Sequence, residues 1–277
     1  MYIKGDFHTH SNRSDGIFSP SQLVNLARNK NIDIMALTDH DTTSGIAEAM
    51  TEGKALNIKI IPGMELSTRY NGESIHILGY FKDDSYKNEK FQTFLKEITD
   101  FRTIRAKLIV ERLEKHFNII IDYKKVLEKA NGVVARPHIA REIIDAGYNY
   151  SLEYIFNNII NEGSPAYIPN KNLELEAGIK LLKSVNALVI LAHPILVKKS
   201  PVIELMKFDF DGIEAIYPLN STNDTTRFIK IAADYNKIIT AGSDFHTGKA
   251  DDTKHGRLAS VFLNENRINI LLKKLMG

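Results

Sequence analysis

Over its first 82 residues the chain alternates short apolar runs with amphipathic helical patterns, and this rhythm most narrows the folds open to it. Tyr2–His8, Ile32–Thr38, Ile58–Ile61 and Ser74–Phe81 read as strands. Between them, Ser19–Asn29 and Ile46–Leu56 read as helices. Ser19 suits an N-cap, with Pro20 at the first helical position and Gln22 at capping-box spacing. Such alternation favours an α/β domain with parallel strands. From residue 83 the pattern changes. Lys87–His116 is long, charged and helical in period, and shorter helical patterns follow at Tyr123–Ala130, Pro137–Ala146 and Leu152–Asn161. The strand–helix rhythm then returns, with strands at Ala187–Leu191, Gly212–Ile216, Ile238–Ala241 and Leu258–Phe262 and helices at Leu175–Val185, Thr222–Tyr235 and Ile268–Leu275. The expected organisation is one α/β domain, residues 1–82 and 170–277, with a helical insertion at 83–169.

Histidines and acidic residues collect at the ends of those strands. Asp6, His8 and His10 alternate at the end of the first, and Asp39 and His40 follow the second. Glu65 lies just past Ile58–Ile61, and His76 lies within the strand after it. His193 follows the ALVILA run, and Asp244 and His246 follow Ile238–Ala241. In a closed α/β barrel such ends converge on one face, where barrels carry their chemistry. Residues i and i+2 of a strand point the same way, so His8 and His10 can grip one ion, and Asp244–His246 repeats the spacing. A lone histidine near a strand end is ordinarily a hydrogen-bonded structural residue. The co-occurrence, joined by Asp15, points instead to a multinuclear metal centre. The chain has no cysteine, so every ligand must be nitrogen or oxygen, and such a cluster suits Zn, Mn or Fe. His116 and His255 fall outside the pattern and receive no role.

The formal net charge of +2 gives no general reason to expect a polyanion partner. The basic excess between 96 and 129 reads as a solvated helix face. Met1–His10 has no apolar leader segment, and no apolar run approaches the ~20 residues that span a bilayer. The expectation is a cytoplasmic protein with no membrane contact.

As an ordered set, DFHTHSNRSDG (Asp6–Gly16), ALTDHDT (Ala36–Thr42), PGMELS (Pro62–Ser67), LAHP (Leu191–Pro194) and GSDFHTG (Gly242–Gly248) resemble the PHP family, named for polymerase and histidinol phosphatase. The resemblance implies a distorted (β/α)7 barrel, one strand fewer than the common eight, with a di- or trinuclear centre. It implies that His8, His10, Glu65 and Asp244 hold one ion, and that Glu65, His76 and His193 hold a second, with Glu65 bridging. Asp15, His40 and His246 would hold a third. Many relatives carry His where this chain has Asp15, which makes that site harder. Asp39 and Asp41 are candidates to orient ligand histidines or to cap the following helix. The helical insertion is similar to that of the small, stand-alone phosphoesterases, in which an Arg-Pro-His segment recurs, here ARPHIARE (Ala135–Glu142). A helix start there could hold phosphate, with Arg136 adding a bidentate contact and His138 a hydrogen bond or a proton. Arg13 and Lys171 are weaker phosphate candidates.

The function expected is metal-dependent hydrolysis of a phosphomonoester. Two to three divalent ions (Mn, Fe or Zn) would activate water, and the ions and Arg136 would stabilise the phosphoryl oxygens. His193, His138 or a water would protonate the leaving alcohol. The resemblance points to a nucleotide substrate, a nucleoside 5′-monophosphate or 3′,5′-bisphosphate, or to the 5′ end of short RNA. The alternatives are a histidinol-phosphate phosphatase, a 5′–3′ exonuclease or polymerase-accessory nuclease, and last a non-catalytic metal-binding module. The partner is a small phosphorylated substrate, with no obligate protein partner.

Overall fold

The structure, a computed structural model, describes residues 1–171, 173–248, 252 and 255–277. In chain order it begins β1 (Lys4–Asp6), α1 (Pro20–Asn29), β2 (Ile34–Leu37), α2 (Ile46–Leu56), β3 (Lys59–Tyr70) and β4 (Glu73–Phe81). Four helices follow: α3 (Glu89–Phe117), α4 (Tyr123–Ala130), α5 (Arg136–Asp145) and the short α6 (Leu152–Tyr154), which continues as a π turn over Ile155–Ile159. The chain then runs through α7 (Leu175–Ser184), β5 (Ala187–Leu191), α8 (Val202–Leu205), β6 (Gly212–Ile216), α9 (Thr222–Asp234), β7 (Ile238–Ala241), β8 (Leu263–Asn264) and α10 (Glu265–Met276).

The strands form one sheet in the order β7-β6-β5-β4-β3-β2-β1-β8. The sheet curls until β7 returns to β1. Phe7 N donates to Ala241 O at 3.0 Å, Asp244 N to His8 O at 2.8 Å, and His10 N to Phe245 O at 3.0 Å. The result is a distorted, TIM-like α/β barrel whose seam closes just above β1, at the residues that carry the first and last histidine motifs. Inside it pack Phe7, Ile34, Ala36, Ile61, Leu78, Tyr80, Ile190 and Ala241. The Tyr80 hydroxyl donates to Phe7 O at 2.8 Å, which satisfies a polar group the interior would otherwise strand.

Two local readings need correction. β3 does not end at Ile61 but continues to Tyr70, so Glu65 lies within the strand. β4 is not parallel to its neighbours: it pairs antiparallel with both β3 and β5. The cause is a tight turn at Asn71 (φ 49) and Gly72 (φ 70), both in the left-handed region that an Asn-Gly hairpin turn requires. The reversal matters for the site. The start of β4, and with it His76, comes to the face where the other strands end, opposite Ser67 in the ladder. The last strand is also shorter and later than expected, two residues at Leu263–Asn264 antiparallel to β1, and Leu258–Phe262 is irregular.

Helix starts follow the sequence closely. Ser19 accepts from Gln22 N at 3.2 Å while the Gln22 side chain accepts from Ser19 N at 2.9 Å, the reciprocal capping box. Ser221 and Asp224 cap α9 in the same way. The helices α3 to α6 and the π turn build an apolar core of their own, including Ile109, Leu113, Val126, Ile139, Ile143, Ile155 and Ile159. The first half of α3 packs Phe91, Leu95 and Ile98 against the barrel's outer layer, and polar links add to that contact. Val133 N donates to Arg13 O at 3.0 Å, Arg141 donates to Asp15 O at 3.3 Å, and Arg102 pairs with Asp41. Among the described residues, no helix is long and apolar enough to cross a membrane.

Candidate metal centre

Glu65 projects from the middle of β3 into the mouth of the barrel, fully buried, and the histidine motifs converge on it. Its Oε2 lies 3.2 Å from Nε2 of His8, 3.2 Å from Nε2 of His10 and 3.1 Å from Nδ1 of His40. Its Oε1 lies 2.8 Å from Nδ1 of His76 and 2.9 Å from Nε2 of His193. One carboxylate therefore faces two sets of imidazoles, one on each oxygen.

The innermost set contains His8, His10, Glu65 and Asp244, all buried. Asp244 Oδ1 lies 3.3 Å from Nε2 of His8 and 3.1 Å from Nε2 of His10, and the two Nε2 atoms lie 3.1 Å apart. A tetrahedron of metal bonds of about 2.0–2.1 Å has edges of about 3.3–3.4 Å, close to these separations. Glu65 Oε2 and Asp15 Oδ1 are buried without a hydrogen-bond partner. Buried, unpaired acceptors are costly unless something cationic completes them. The donor set of imidazoles and carboxylates fits divalent ions.

Asp15 joins a neighbouring group with His10, His40 and His246. Its Oδ1 lies 3.1 Å from Nε2 of His246 and 3.9 Å from Nε2 of His40. His246 donates from Nδ1 to Asp244 O at 2.8 Å, which leaves the Nε2 lone pair directed toward Asp15.

Surrounding groups fix this arrangement. Glu214, buried in β6, lies 3.0 Å and 3.2 Å from Nδ1 of His8 through its two oxygens. Tyr217 donates its hydroxyl to Asp244 Oδ2 at 2.8 Å. Asp6 accepts from Ser243 N at 2.9 Å and Ala259 N at 3.0 Å, so it ties the first and last motifs together. Burial pushes the Asp6 carboxyl up to about 6 against those hydrogen bonds. The backbone is left-handed at His193 (φ 24) and Asp244 (φ 53), strain that concentrates where ligands are aimed. Sequence reasoning missed Glu214 and Tyr217. The one signal for Glu214 was an acidic residue inside the otherwise apolar run Gly212–Ile216.

Electrostatics follow from the crowding. Burial would lower the pKa of His10, but the Asp244 and Glu65 carboxylates outweigh it and raise it to about 10. Burial would raise Glu65, Asp15 and Asp244, yet the surrounding histidines hold all three well below the usual carboxylate range. His40 goes the other way, down to about 3, because burial outweighs Glu65 and Asp15. The acids are thus ionised and ready to bind cations.

Among the described residues, Asp39 and Asp41 hydrogen-bond no histidine and do not cap α2. Asp39 holds the loop after β1, accepting from Ser11 N at 2.7 Å, Ser11 Oγ at 2.6 Å and Ser14 Oγ at 2.7 Å. Asp41 accepts from Ser67 N at 2.8 Å and pairs with Arg102. The N-cap of α2 is Gly45, with no side-chain cap. Arg13 and Lys171 are engaged by Glu48 at 2.9 Å and Glu97 at 3.2 Å. His255, given no role from sequence, stacks on His246 with ring centroids 3.9 Å apart and pairs with Asp252 at 2.9 Å. His138 is fully buried at the start of α5, its Nδ1 accepting from Ala135 N at 3.0 Å. Arg136 donates to Ile160 O at 3.2 Å and faces the rings of Phe156 and Tyr167, each 5.9 Å away.

Comparison with known proteins bears on the fold and the activity. The PHP domain model matches residues 6–161. The chain is similar to the 5′-3′ exoribonuclease Rnm of Escherichia coli, 33% identical over 256 residues that cover 87% of this chain and 84% of that protein. It is also similar to the 3′,5′-nucleoside bisphosphate phosphatase of Chromobacterium violaceum, 27% identical over 249 residues, covering 87% and 86%. Among solved structures, one described as a metal-dependent phosphoesterase from Bifidobacterium adolescentis superposes with a TM-score of 0.85 at 26% identity, covering 98% of this chain and 96% of that one. The chain belongs to the PHP domain family and is one of its metal-dependent phosphoesterases.

Proposed function

We propose that the protein hydrolyses a phosphomonoester of a nucleotide, or the 5′ end of a short RNA, at a centre of two to three Mn, Fe or Zn ions. The observation that carries this reading is the Glu65 carboxylate, with His8, His10 and His40 on one oxygen and His76 and His193 on the other. His8, His10, Glu65 and Asp244 would hold one ion, Glu65, His76 and His193 a second, and Asp15, His40 and His246 a third. When bound, such ions supply Lewis acidity for activating water and for neutralising phosphoryl oxygens.

The chain's own residues do the rest. Glu214 orients His8, and Tyr217 orients Asp244, so the donor atoms are set before anything binds. With His193 Nε2 turned toward the second ion beside Glu65 Oε1, the proton for the leaving alcohol would come from His138 or a water. His138 accepts at Nδ1, so its Nε2 carries the hydrogen, and that atom is buried without a partner. Burial lowers its pKa to about 4, against the pull of the Asp15 carboxylate, so at neutral pH it is a neutral donor suited to a phosphoryl oxygen. Arg136 adds a positive charge at the same helix start. In this reading residues 83–169 are an insertion subdomain on a barrel formed by 1–82 and 170–277, and its role is to deliver Arg136 and His138. The activities named for the Escherichia coli and Chromobacterium violaceum relatives support a nucleotide or RNA substrate.

The test is hydrolysis of p-nitrophenyl phosphate with added Mn, beside His8→Ala and Asp244→Asn variants. A panel of AMP, adenosine 3′,5′-bisphosphate, histidinol phosphate and 5′-phosphorylated di- to pentanucleotides then ranks substrates. Metal-dependent turnover lost in both variants supports the reading. No turnover with any divalent ion would refute it, and highest kcat/KM on histidinol phosphate would overturn the substrate ranking.

A further inference from the structure

His255 lies outside the strands and outside the ligand set drawn above, yet it stands directly against that set. Its ring stacks on His246, with centroids 3.9 Å apart and planes 26° from parallel. A ring nitrogen of His255, one of His246 and a carboxylate oxygen of Asp244 lie within 4.8 Å of one another, a spacing that one ion can bridge. His246 also belongs to the group with His10, Asp15 and His40. The Asp15 carboxylate acts electrostatically on His255 as well. His255 therefore borders the third site on the side of His246.

The backbone pins it there from both directions. After it, Gly256 N donates to Ser243 O at 2.8 Å, one residue before Asp244. A Cβ at Gly256 would fall 2.6 Å from that oxygen and 2.3 Å from Pro218 Cγ, so the close approach needs glycine. Further on, Ala259 N donates to Asp6 at 3.0 Å. Before it, Asp252 accepts from Thr247 Oγ1 at 3.0 Å and from His255 N at 3.2 Å. The neighbours of His255 are thus tied to the first and last histidine motifs.

The ring is also set up as a ligand is. Asp252 faces His255 Nδ1 with both oxygens, at 2.9 Å and 3.1 Å. Glu214 faces His8 Nδ1 in the same manner, at 3.0 Å and 3.2 Å. In each pair the carboxylate takes the Nδ1 hydrogen, which in the neutral ring leaves Nε2 as a lone pair. Histidines that bind metals are ordinarily oriented by just such a carboxylate on the other ring nitrogen. His246 has its own Nδ1 on the Asp244 carbonyl, so the two stacked rings both offer Nε2.

We propose that His255, aimed by Asp252, is a further ligand of the ion held by Asp15, His40 and His246. This rests on the three-ion reading of the centre and adds an imidazole to its third site, supplied by the segment after the last histidine motif.

The test is metal binding and does not involve turnover. Zn, and separately Mn, is titrated into chelator-treated protein in competition with a chromophoric chelator, and elemental analysis of the dialysed product counts the ions. Wild type should bind in three steps. His255→Phe keeps a ring to stack on His246 but removes the donor nitrogen. It should weaken one step by about tenfold or more and leave the other two in place, which also shows that the centre is still folded. Asp252→Asn should weaken the same step by about 10- to 100-fold, the usual effect of losing the group that orients a ligand. A wild type with no third step would overturn the third site and the proposal with it. Three steps as tight in His255→Phe as in wild type would overturn the proposal alone. Failure of the hydrolytic reading shows separately, in the p-nitrophenyl phosphate assay.

Discussion

Glu214 holds both of its carboxylate oxygens against one edge of His8, 3.0 Å and 3.2 Å from Nδ1, and one of them also accepts the backbone N–H of His193 at 2.8 Å. One buried acid thus fixes the ring of a histidine from the first strand and the backbone of another from the fifth. The His8 Nδ1–H is committed to it, which leaves Nε2 as the lone pair aimed at Glu65 and Asp244. Replacing Glu214 with Gln weakens that commitment. Metal affinity should fall about 10- to 100-fold, read by competition with a chromophoric chelator. An unchanged affinity would remove Glu214 from the site's support.

Metal removal should destabilise the whole barrel, because three ionised acids, Glu65, Asp15 and Asp244, crowd together among the histidines. A ligand present at a hundredfold over its Kd stabilises by about 2.7 kcal/mol, so chelation should lower Tm by several degrees and readdition of Mn or Zn should restore it. Elemental analysis of protein purified without chelator should give two to three ions per chain, and fewer in Asp244→Asn. A chelated protein with unchanged Tm would contradict the picture.

His138 should make stability fall as solutions are acidified. Its pKa is lowered by burial from 6.5 in the unfolded chain to about 4 in the folded one. Between those values the unfolded state binds more protons, so stability rises with pH across the window and is lost as pH falls through it. The full difference is at most about 3 kcal/mol, since one pKa unit is worth about 1.4 kcal/mol. Denaturant midpoints at pH 7 and pH 4.5 should therefore converge in His138→Gln relative to wild type. An identical pH dependence in the two proteins would rule this out.

Gly242 should tolerate no side chain. A Cβ there would fall 2.1 Å from the His8 Cβ and 2.5 Å from Glu214 Oε1. Gly242→Ala must push apart the pair that aims His8. Overpacking of this kind costs about 1–3 kcal/mol, measurable by chemical denaturation, and metal affinity should fall with it. A variant as stable and as tightly metallated as wild type would refute the close approach.

Apart from Asp15, the ligand candidates were legible because each stands at or near an apolar run that reads as a strand, and strands of a closed barrel present such positions to one face. The groups behind them were not. Tyr217 and Glu214 look like residues of an ordinary buried strand and its exit until the barrel closes and sets them beside Asp244 and His8. Arg102 and Arg105 read as part of a solvated helix face, and only tertiary packing buries them, Arg102 against Asp41 and Ser67 and Arg105 against Tyr167 and Ile168. The parallel reading of β4 failed because the periodicity of a strand carries no direction. The Asn71–Gly72 pair carried that information, and a turn of that type reverses the chain.

By itself the sequence determined the chemistry: no thiols, a set of imidazoles and carboxylates at strand ends, and helices that start where their caps stand. Those properties are local, set by residue type and by spacing of a few positions. Tertiary structure alone decided that Glu65 would have histidines on both oxygens, that His76 would reach them from a reversed strand, and that Arg102 and Arg105 of α3 would lie buried. Each of these brings together residues distant in sequence, or sets the direction of a strand, and they become neighbours only when the sheet closes on itself.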